Sequence, residues 1–353
     1  MKDGPHTTPA PLDQLDRQII RALQVEARTP FRRIGEVVGV SEQTIARRYR
    51  RMRGEGLLRV LGKLDPHKLR GSDWLVRVQC RPNSAMDLAG ALARYEQANW
   101  VSLTAGGAEI VCTVRAQHPT GQDELLLQKL PQTAQVLQLD ANLVLHRFDE
   151  GGRHWTGYDH QLDDRQLDAL AERHGRVAGA RLDEVSLTPV DERLLVELAS
   201  DGRVSYTHVA QFIGWSPSRV ARRVDELRAA GVLYFDVEFS PHLMGIGTLT
   251  YLWLSVAPAR LHRIGAALAT HAETAWVAAV AGERNLVAMV LCTGPEALYT
   301  YVNASIGSLA GVRAVAMSPL VHRVKHASPV SVGHRLDAST SSAPAPGQFR
   351  GSV

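Results

Sequence analysis

The stretch from Leu12 to Pro66 is written a second time from Leu187 to Pro241, at an offset of 175. Of these 55 aligned positions 13 are identical, and they fall on residues that set structure: Leu12/Leu187, Asp16/Asp191, Leu23/Leu198, Arg28/Arg203, Gly39/Gly214, Ser41/Ser216, Arg47/Arg222, Arg48/Arg223 and Gly56/Gly231 among them. The likeness continues at offset 176, where NWV (99–101) aligns with AWV (275–277), AGGAEIV (105–111) with AGERNLV (281–287), and His146-Arg147 with His322-Arg323. A chain of this kind must fold as one two-part unit made twice.

The repeat divides the chain. A polar N-terminus (1–11) is expected to be disordered, followed by a helical domain (12–66) and an α/β domain (70–148). A linker (149–186) matches neither unit, although 161–174 has a helical pattern. The second helical domain (187–241) and second α/β domain (245–325) follow, and a tail (326–353) rich in Ser, Ala, Pro and Gly is expected to be disordered.

In the first helical domain, Leu15, Ile19 and Leu23 recur at helical spacing. A short helix, a turn at Gly39 and a second helix with Ser41 as N-cap and Gly56 as C-cap make a helix-turn-helix. The strand-like LLRVLGKLD after Gly56 is expected to serve as a wing or hinge. The α/β domain reads as strand, helix, strand, strand, helix, strand, which is the ferredoxin-like βαββαβ order. Trp74, Val76, Val78 and Cys80 alternate with Leu75, Arg77, Gln79 and Arg81, a pattern that predicts one wet face. Helices are expected at 84–95 and 123–130, a turn at Gly106-Gly107, and a last strand at 137–145. TLTYLWLSV (248–256) is apolar on both faces, so its sheet is expected to pack against the other copy's sheet. The fold class is α+β: two copies of a (winged) helix-turn-helix domain, each followed by a ferredoxin-like domain.

Five of the seven residues 47–53 are arginine, and no acid lies between 43 and 54. On a helix starting at Ser41, Ile45, Tyr49 and Met52 share the inward face, while Thr44, Arg47, Arg48 and Arg51 form another stripe flanked by Arg50 and Arg53. Like charges at this spacing repel in an isolated helix, so the pattern points to phosphates and base edges of double-stranded DNA. Candidate contacts are Ser41, Gln43, Thr44, Arg47, Arg48, Arg50 and Arg51, and in the second copy Ser216, Ser218, Arg219, Arg222 and Arg223. There Asp225 and Glu226 replace Arg50 and Arg51. Residues 12–70 carry 14 basic and 7 acidic side chains, net +7, and residues 187–245 carry 6 and 8, net −2. The second head is therefore expected to bind DNA more weakly.

Other classes find little support. No apolar stretch approaches a membrane span, and the N-terminus lacks the apolar core of a secretory signal, so a cytoplasmic location is expected. Cys80, Cys112 and Cys292 have no paired spacing and read as free buried thiols. The histidines form no metal motif, and no cofactor is expected.

LDQLDRQIIRAL, VGVSEQTIARRYRRMRGEGLL and GGAEIVCTV, with LTPVDERLLVEL, IGWSPSRVARRVDELRAAGVL and GERNLVAMV in the second copy, resemble the Lrp/AsnC (feast/famine) family over roughly 12–148 and 187–325. The resemblance implies a transcriptional regulator with a DNA-binding head and a ligand-sensing ferredoxin-like domain that dimerises through its sheet. It also implies effectors, often amino acids, near the turn between the second and third sheet strands. A tandem chain would be a covalent pseudo-dimer, suited to an asymmetric DNA site, and further homo-oligomerisation through the sheets is expected. The effector candidates are Gly106, Gly107 and Glu109, with Gly282 and Asn285 in the second copy. The family's acidic residue is Glu109 in the first turn, placed to hold an α-ammonium group, and is lost as Asn285 in the second. Two alternatives remain: an enzyme on the same architecture, as siroheme decarboxylase subunits resemble it, and a protein whose arginine helix grips an acidic partner.

Overall fold

The computed structural model describes residues 12–65, 72–95, 97–116, 128–148, 161–171 and 187–326, with two short strand pieces at 331–332 and 335–336. The N-terminal segment expected to be disordered, all of the tail expected to be disordered except residue 326 and the paired strand pieces 331–332 and 335–336, all but the last three residues of the helix expected at 123–130, and most of the linker lie outside the described residues.

Each head is a three-helix unit. In the first, α1 (Gln14–Val25), α2 (Phe31–Val38) and α3 (Glu42–Gly54) follow one another. Asp13 and Asp16 cap α1 reciprocally, each accepting the other's backbone N–H, which satisfies two N–H groups that the helix leaves free. Gly39 has φ +77°, the left-handed conformation that a Cβ disfavours, and it reverses the chain into α3. Ser41 caps α3 through the Thr44 N–H. Past the end of α3, Gly56 takes φ +67°, and Leu57 N–H reaches back to Met52 O. The inward stripe Ile45, Tyr49, Met52 is buried as its spacing predicted.

After a linker helix, α5 (Asp164–Ala171), the second head repeats the design in α6 (Pro189–Ser200), α7 (Tyr206–Ile213) and α8 (Pro217–Ala229). Thr188 with Asp191, Gly214 and Ser216 take the roles of Asp13 with Asp16, Gly39 and Ser41.

The segment expected as a wing or hinge is β1 (Leu58–Leu64), and its partner is β6 (Leu233–Phe239) of the other unit. The ladder is centred on Leu61 opposite Asp236, which are equivalent positions of the repeat, so the two strands pair about an approximate twofold axis. Around this ribbon the two heads share one hydrophobic core, in which Ile19, Ile20, Leu23 and Ile45 join Leu194, Leu198, Val220 and Val224. Two small heads that could each bury little apolar surface alone thereby gain one larger core. Lys63 is buried in the ribbon and pairs with Asp236 and with Glu238 at 3.0 Å.

The second α/β domain follows the expected order, and the described elements of the first agree with it. In the first, β2 (Ser72–Cys80), α4 (Ala85–Ala93), β3 (Ala98–Thr104), β4 (Glu109–Ala116) and β5 (Val136–Arg147) are described. The second contains β7 (Thr248–Val256), α9 (Leu261–Leu268), β8 (Thr274–Val280), β9 (Leu286–Cys292), α10 (Pro295–Thr300) and β10 (Val312–Arg323). The sheets pack inner face to inner face, as the doubly apolar β7 predicted. They are also joined at both edges, because β5 pairs with β8 and β10 with β3, giving a closed barrel in the order β10-β3-β4-β2-β5-β8-β9-β7. Val144 opposes Val280 as Leu320 opposes Thr104, again equivalent positions. Closure removes the free strand edges that an isolated four-stranded sheet would expose.

One expectation is corrected here. The face of β2 bearing Leu75 and Arg77 is not wet along its length. Leu75 is buried in the barrel interior with Val111, Tyr251 and Trp253, and the Arg77 guanidinium lies 4.3 Å from the centre of the Trp253 ring. Arg77 and Trp253 are equivalent positions, so the repeat meets itself there. The polar residue mimicked a solvent face in the sequence because its ion-pair partner, Glu109, is 32 residues away. Cys80, Cys112 and Cys292 are buried and unbridged.

Candidate nucleic-acid interface and effector turn

The five arginines of α3 divide into two groups. Arg48 pairs with Asp13 and, at 3.2 Å, with Asp16; Arg51 pairs with Asp16 at 2.5 Å; and Arg53 pairs with Asp201 of the other head at 3.0 Å. Asp16 is 1 % exposed, so this carboxylate inside the cap of α1 locks α3 against it. Burial opposes the charge of Asp13, but the Asp16 N–H and Arg48 outweigh it and hold the Asp13 carboxyl below its ordinary pKa. Arg47 and Arg50 are exposed; Arg50 donates to Ala46 O, and Arg47 has no ion-pair partner among the described residues.

Arg48 and Arg51 therefore have a structural duty that their helical stripe did not reveal. The signal was present in the repeat, where Asp16 and Asp191 are identical, as are Arg48 and Arg223. Ser41 is the N-cap of α3; Gln43 is exposed, and the Thr44 hydroxyl lies 2.9 Å from Ser41 Oγ. These residues and Arg47 occupy the first two turns of α3, on its solvent side.

The second head keeps the frame but binds its cations more fully. Arg223 makes two bonds to Asp191, at 2.8 and 2.9 Å, and a third to Glu226 at 3.1 Å. Arg222 lies 3.6 Å from Glu226, and Arg219 stacks on Trp215 with 4.2 Å to the ring centre. Arg228 pairs with Glu26 of the first head at 2.7 Å, the counterpart of Arg53 with Asp201. Ser216 caps α8, and Ser218 is exposed beside it.

The heads are tied together by a reciprocal exchange. Arg28 donates to Gly202 O and, at 2.9 Å, to Val204 O; Arg203 donates to Ala27 O at 2.6 Å and to Thr29 O at 2.9 Å. Each guanidinium also lies over a ring of the opposite head, Arg28 on Tyr206 and Arg203 on Phe31. The distance between α3 and α8 is set by these contacts and by the shared core.

The effector turn differs from expectation. Gly106 and Gly107 have φ +68° and +88°, as a tight turn requires; Gly106 is exposed at the tip and Gly107 is half-buried. Glu109, by contrast, is 4 % exposed. Its carboxylate accepts from Arg77 at 2.6 and 3.1 Å and from the Thr104 hydroxyl at 2.8 Å. It is thus not a free acceptor for an ammonium group, which would have to displace Arg77. In the second copy the Asn285 amide accepts from Val256 N–H and donates to Val256 O, both at 2.9 Å, so it too is engaged. Gly282, at φ +115°, abuts β5, and a Cβ there would meet Asn142 Oδ1 at 2.4 Å. The second turn therefore lies on the seam between the two units.

Comparison with known proteins follows this division of the chain. The model for the AsnC-type helix-turn-helix domain matches residues 12–53 and 187–228, and that for the Lrp/AsnC ligand binding domain matches 250–330. HTH-type transcriptional regulator FL11 of Pyrococcus horikoshii is 31% identical over 111 residues, which is 31% of this chain and 73% of the relative. HTH-type transcriptional regulator LrpA of Pyrococcus abyssi is 25% identical over 139 residues, 39% of this chain and 99% of the relative. The chain belongs to the Lrp/AsnC family of transcriptional regulators. Among solved structures, the siroheme decarboxylase NirDL superposes on 92% of this chain and 96% of its own with a TM-score of 0.61 and 12% identity, a likeness of fold.

Proposed function

We propose that the chain is a sequence-specific regulator that works as a covalent pseudo-dimer and reads an asymmetric DNA site. Arg47 and Arg50 of the first head, with Gln43 and Thr44 at the start of α3, make the stronger contact. Arg219 and Arg222 of the second head make a weaker one, with Ser218 near the base edges. Arg48, Arg51 and Arg223 orient their helices through Asp16 and Asp191 and add positive potential. The observation that carries this reading is the outward pair Arg47 and Arg50, without an acidic partner among the described residues, on a Ser-capped helix whose remaining arginines are fixed by acids. The counterpart positions in the second head are Arg222 and Asp225. Sequence is read by side chains near the start of such a helix, and phosphate contacts supply most of the affinity.

A small-molecule effector, an amino acid in the first instance, is proposed to act at the seam beside the Gly106-Gly107 turn, through main-chain groups rather than through Glu109. Further assembly through the outer faces of β5 and β10 is proposed as well, since Leu145 and Val321 are exposed at equivalent positions, with Leu137 also exposed on β5 and Met317 on β10. The chain is read as a non-catalytic protein; its likeness to a decarboxylase is one of fold, and fold does not carry activity.

The test is selection from a library of randomised duplex DNA with purified full-length protein at near-physiological salt. Enrichment of a defined motif is expected. Protein that is folded but enriches nothing, with and without a panel of amino acids, would remove the reading. Salt-dependent binding without sequence selectivity would favour the acidic-partner alternative.

A further inference from the structure

The linker helix α5 is seated on one face of the first head, and among the described residues no helix is seated on the equivalent face of the second head. Leu162 and Leu170 are buried and Leu167 packs against the shared core. Three polar contacts hold the helix against α1 and α2. Gln18 Nε2 donates to Gln161 O at 3.2 Å, Gln166 Nε2 to Val37 O at 3.0 Å, and an Arg33 guanidinium nitrogen to Ala169 O at 2.8 Å. Asp163 and Gln166 cap the helix start reciprocally.

The residues of the first head in or beside this contact are half-buried: Gln18, Arg21, Arg33 and Val37. Their counterparts on α6 and α7 are Arg193, Val196, His208 and Phe212, and all four are exposed. Val196 is 60 % and Phe212 56 % exposed. The chemistry of the seat is nonetheless retained or strengthened. Arg193 can donate where Gln18 does, His208 where Arg33 does, and Phe212 O takes the place of Val37 O. The apolar part is larger, since Phe212 replaces Val37 and Val196 replaces Arg21. A face exposed to water without a partner is expected to shed such side chains rather than acquire them. Nor does the sequence offer a second copy of α5: β5 ends 17 residues before α5 begins, and the same distance past β10 leads to TSSAPAPG, which has no leucine stripe.

We propose that the α6–α7 face of the second head, built on Val196 and Phe212, is a docking site for an amphipathic helix of another protein. That helix carries leucines spaced as Leu162, Leu167 and Leu170 are and is seated as α5 is seated on the first head. The face lies on α6 and α7 and leaves the outward arginines of α8 clear. The partner is recognised by apolar side chains entering beside Phe212 and by main-chain carbonyls accepting from Arg193 and His208.

A stapled, fluorescent peptide of residues 160–175 serves as the probe, titrated with the full-length chain and followed by anisotropy. Saturable binding at one site per chain is expected. It should weaken at least tenfold in Phe212→Asp and in Val196→Asp, and be absent for a peptide carrying Leu167→Asp and Leu170→Asp. Two exposed positions are used so that a fold defect in either variant, visible in its thermal melt, leaves the other as the test. No saturable binding to the wild-type chain would overturn the proposal. So would binding that survives both substitutions, since the probe would then be exchanging with α5 on the first head. Self-association of the chain without probe that disappears in Phe212→Asp would overturn it too, by assigning the face to a second copy.

Discussion

Arg28 and Arg203 stand at equivalent positions of the repeat and each donates two hydrogen bonds to main-chain carbonyls of the opposite head. Burial lowers the pKa of both guanidinium groups, yet both remain charged across any accessible pH. Such a contact fixes two recognition helices relative to each other without any dissociable interface. Replacing either arginine with methionine leaves buried carbonyls unpaired and removes charge-assisted bonds, at a cost of about 2–3 kcal/mol. Urea denaturation measures the loss. On DNA, the double variant should tolerate a range of half-site spacings where the parent accepts one.

The outward arginines should separate from the anchored ones. Arg47→Ala with Arg50→Ala is expected to leave the melting temperature within about 1 °C, because neither side chain holds the fold together. The salt dependence of DNA affinity, plotted as log against log, should fall by about two in slope, one for each phosphate no longer neutralised. Arg48→Ala with Arg51→Ala should instead destabilise the head by about 2–4 kcal/mol, since it strands the buried Asp16 carboxylate. Comparing the two variants by calorimetry and by salt titration distinguishes the duties.

Acid should release the second head's anchor. Burial disfavours the Asp191 charge, but Arg223 and Thr188 outweigh this and hold its carboxyl below the ordinary value. The folded pKa is thus below the unfolded one, so the stabilisation is fully present above about pH 4 and is lost as pH falls through the lower folded value. Asp191→Asn should cost stability at pH 7 and flatten the stability profile between about pH 5 and pH 2. Urea midpoints across that range give the measurement.

Much of this was legible in the sequence, and the reasons differ by element. The heads were readable because their signals are local: Gly39 and Gly214, Ser41 and Ser216, and the stripe Ile45, Tyr49, Met52 act within a few residues. The apolar β7 betrayed a buried inner face, because a strand cannot be apolar on both sides and remain wet on one. What escaped was pairing at long range. Arg77 read as a solvent residue until Glu109 and Trp253 were brought beside it. Arg48 and Arg51 read as free cations because Asp16 lies one helix-turn-helix away in sequence. The barrel closure and the β1–β6 ribbon join equivalent strands of different units, a choice of partner that no single strand's pattern encodes.

Glu109 offers a sharp test of the effector turn. Glu109→Gln removes the charge that neutralises Arg77 inside the barrel, so the variant should lose about 2–3 kcal/mol of stability. Thermal-shift titration with a panel of amino acids should show the same ligand-dependent increments as the parent, from a lower baseline. Loss of the increments with stability intact would restore Glu109 as a ligand contact.

The central claim is that two tethered, unequal heads read one asymmetric site. Quantitative footprinting of the full-length chain on its selected DNA site tests it most directly. The account predicts two protected half-sites of unequal strength, the stronger lost in Arg47→Ala with Arg50→Ala and the weaker in Arg219→Ala with Arg222→Ala. Two half-sites of equal strength, weakened equally by both pairs of substitutions, would contradict it.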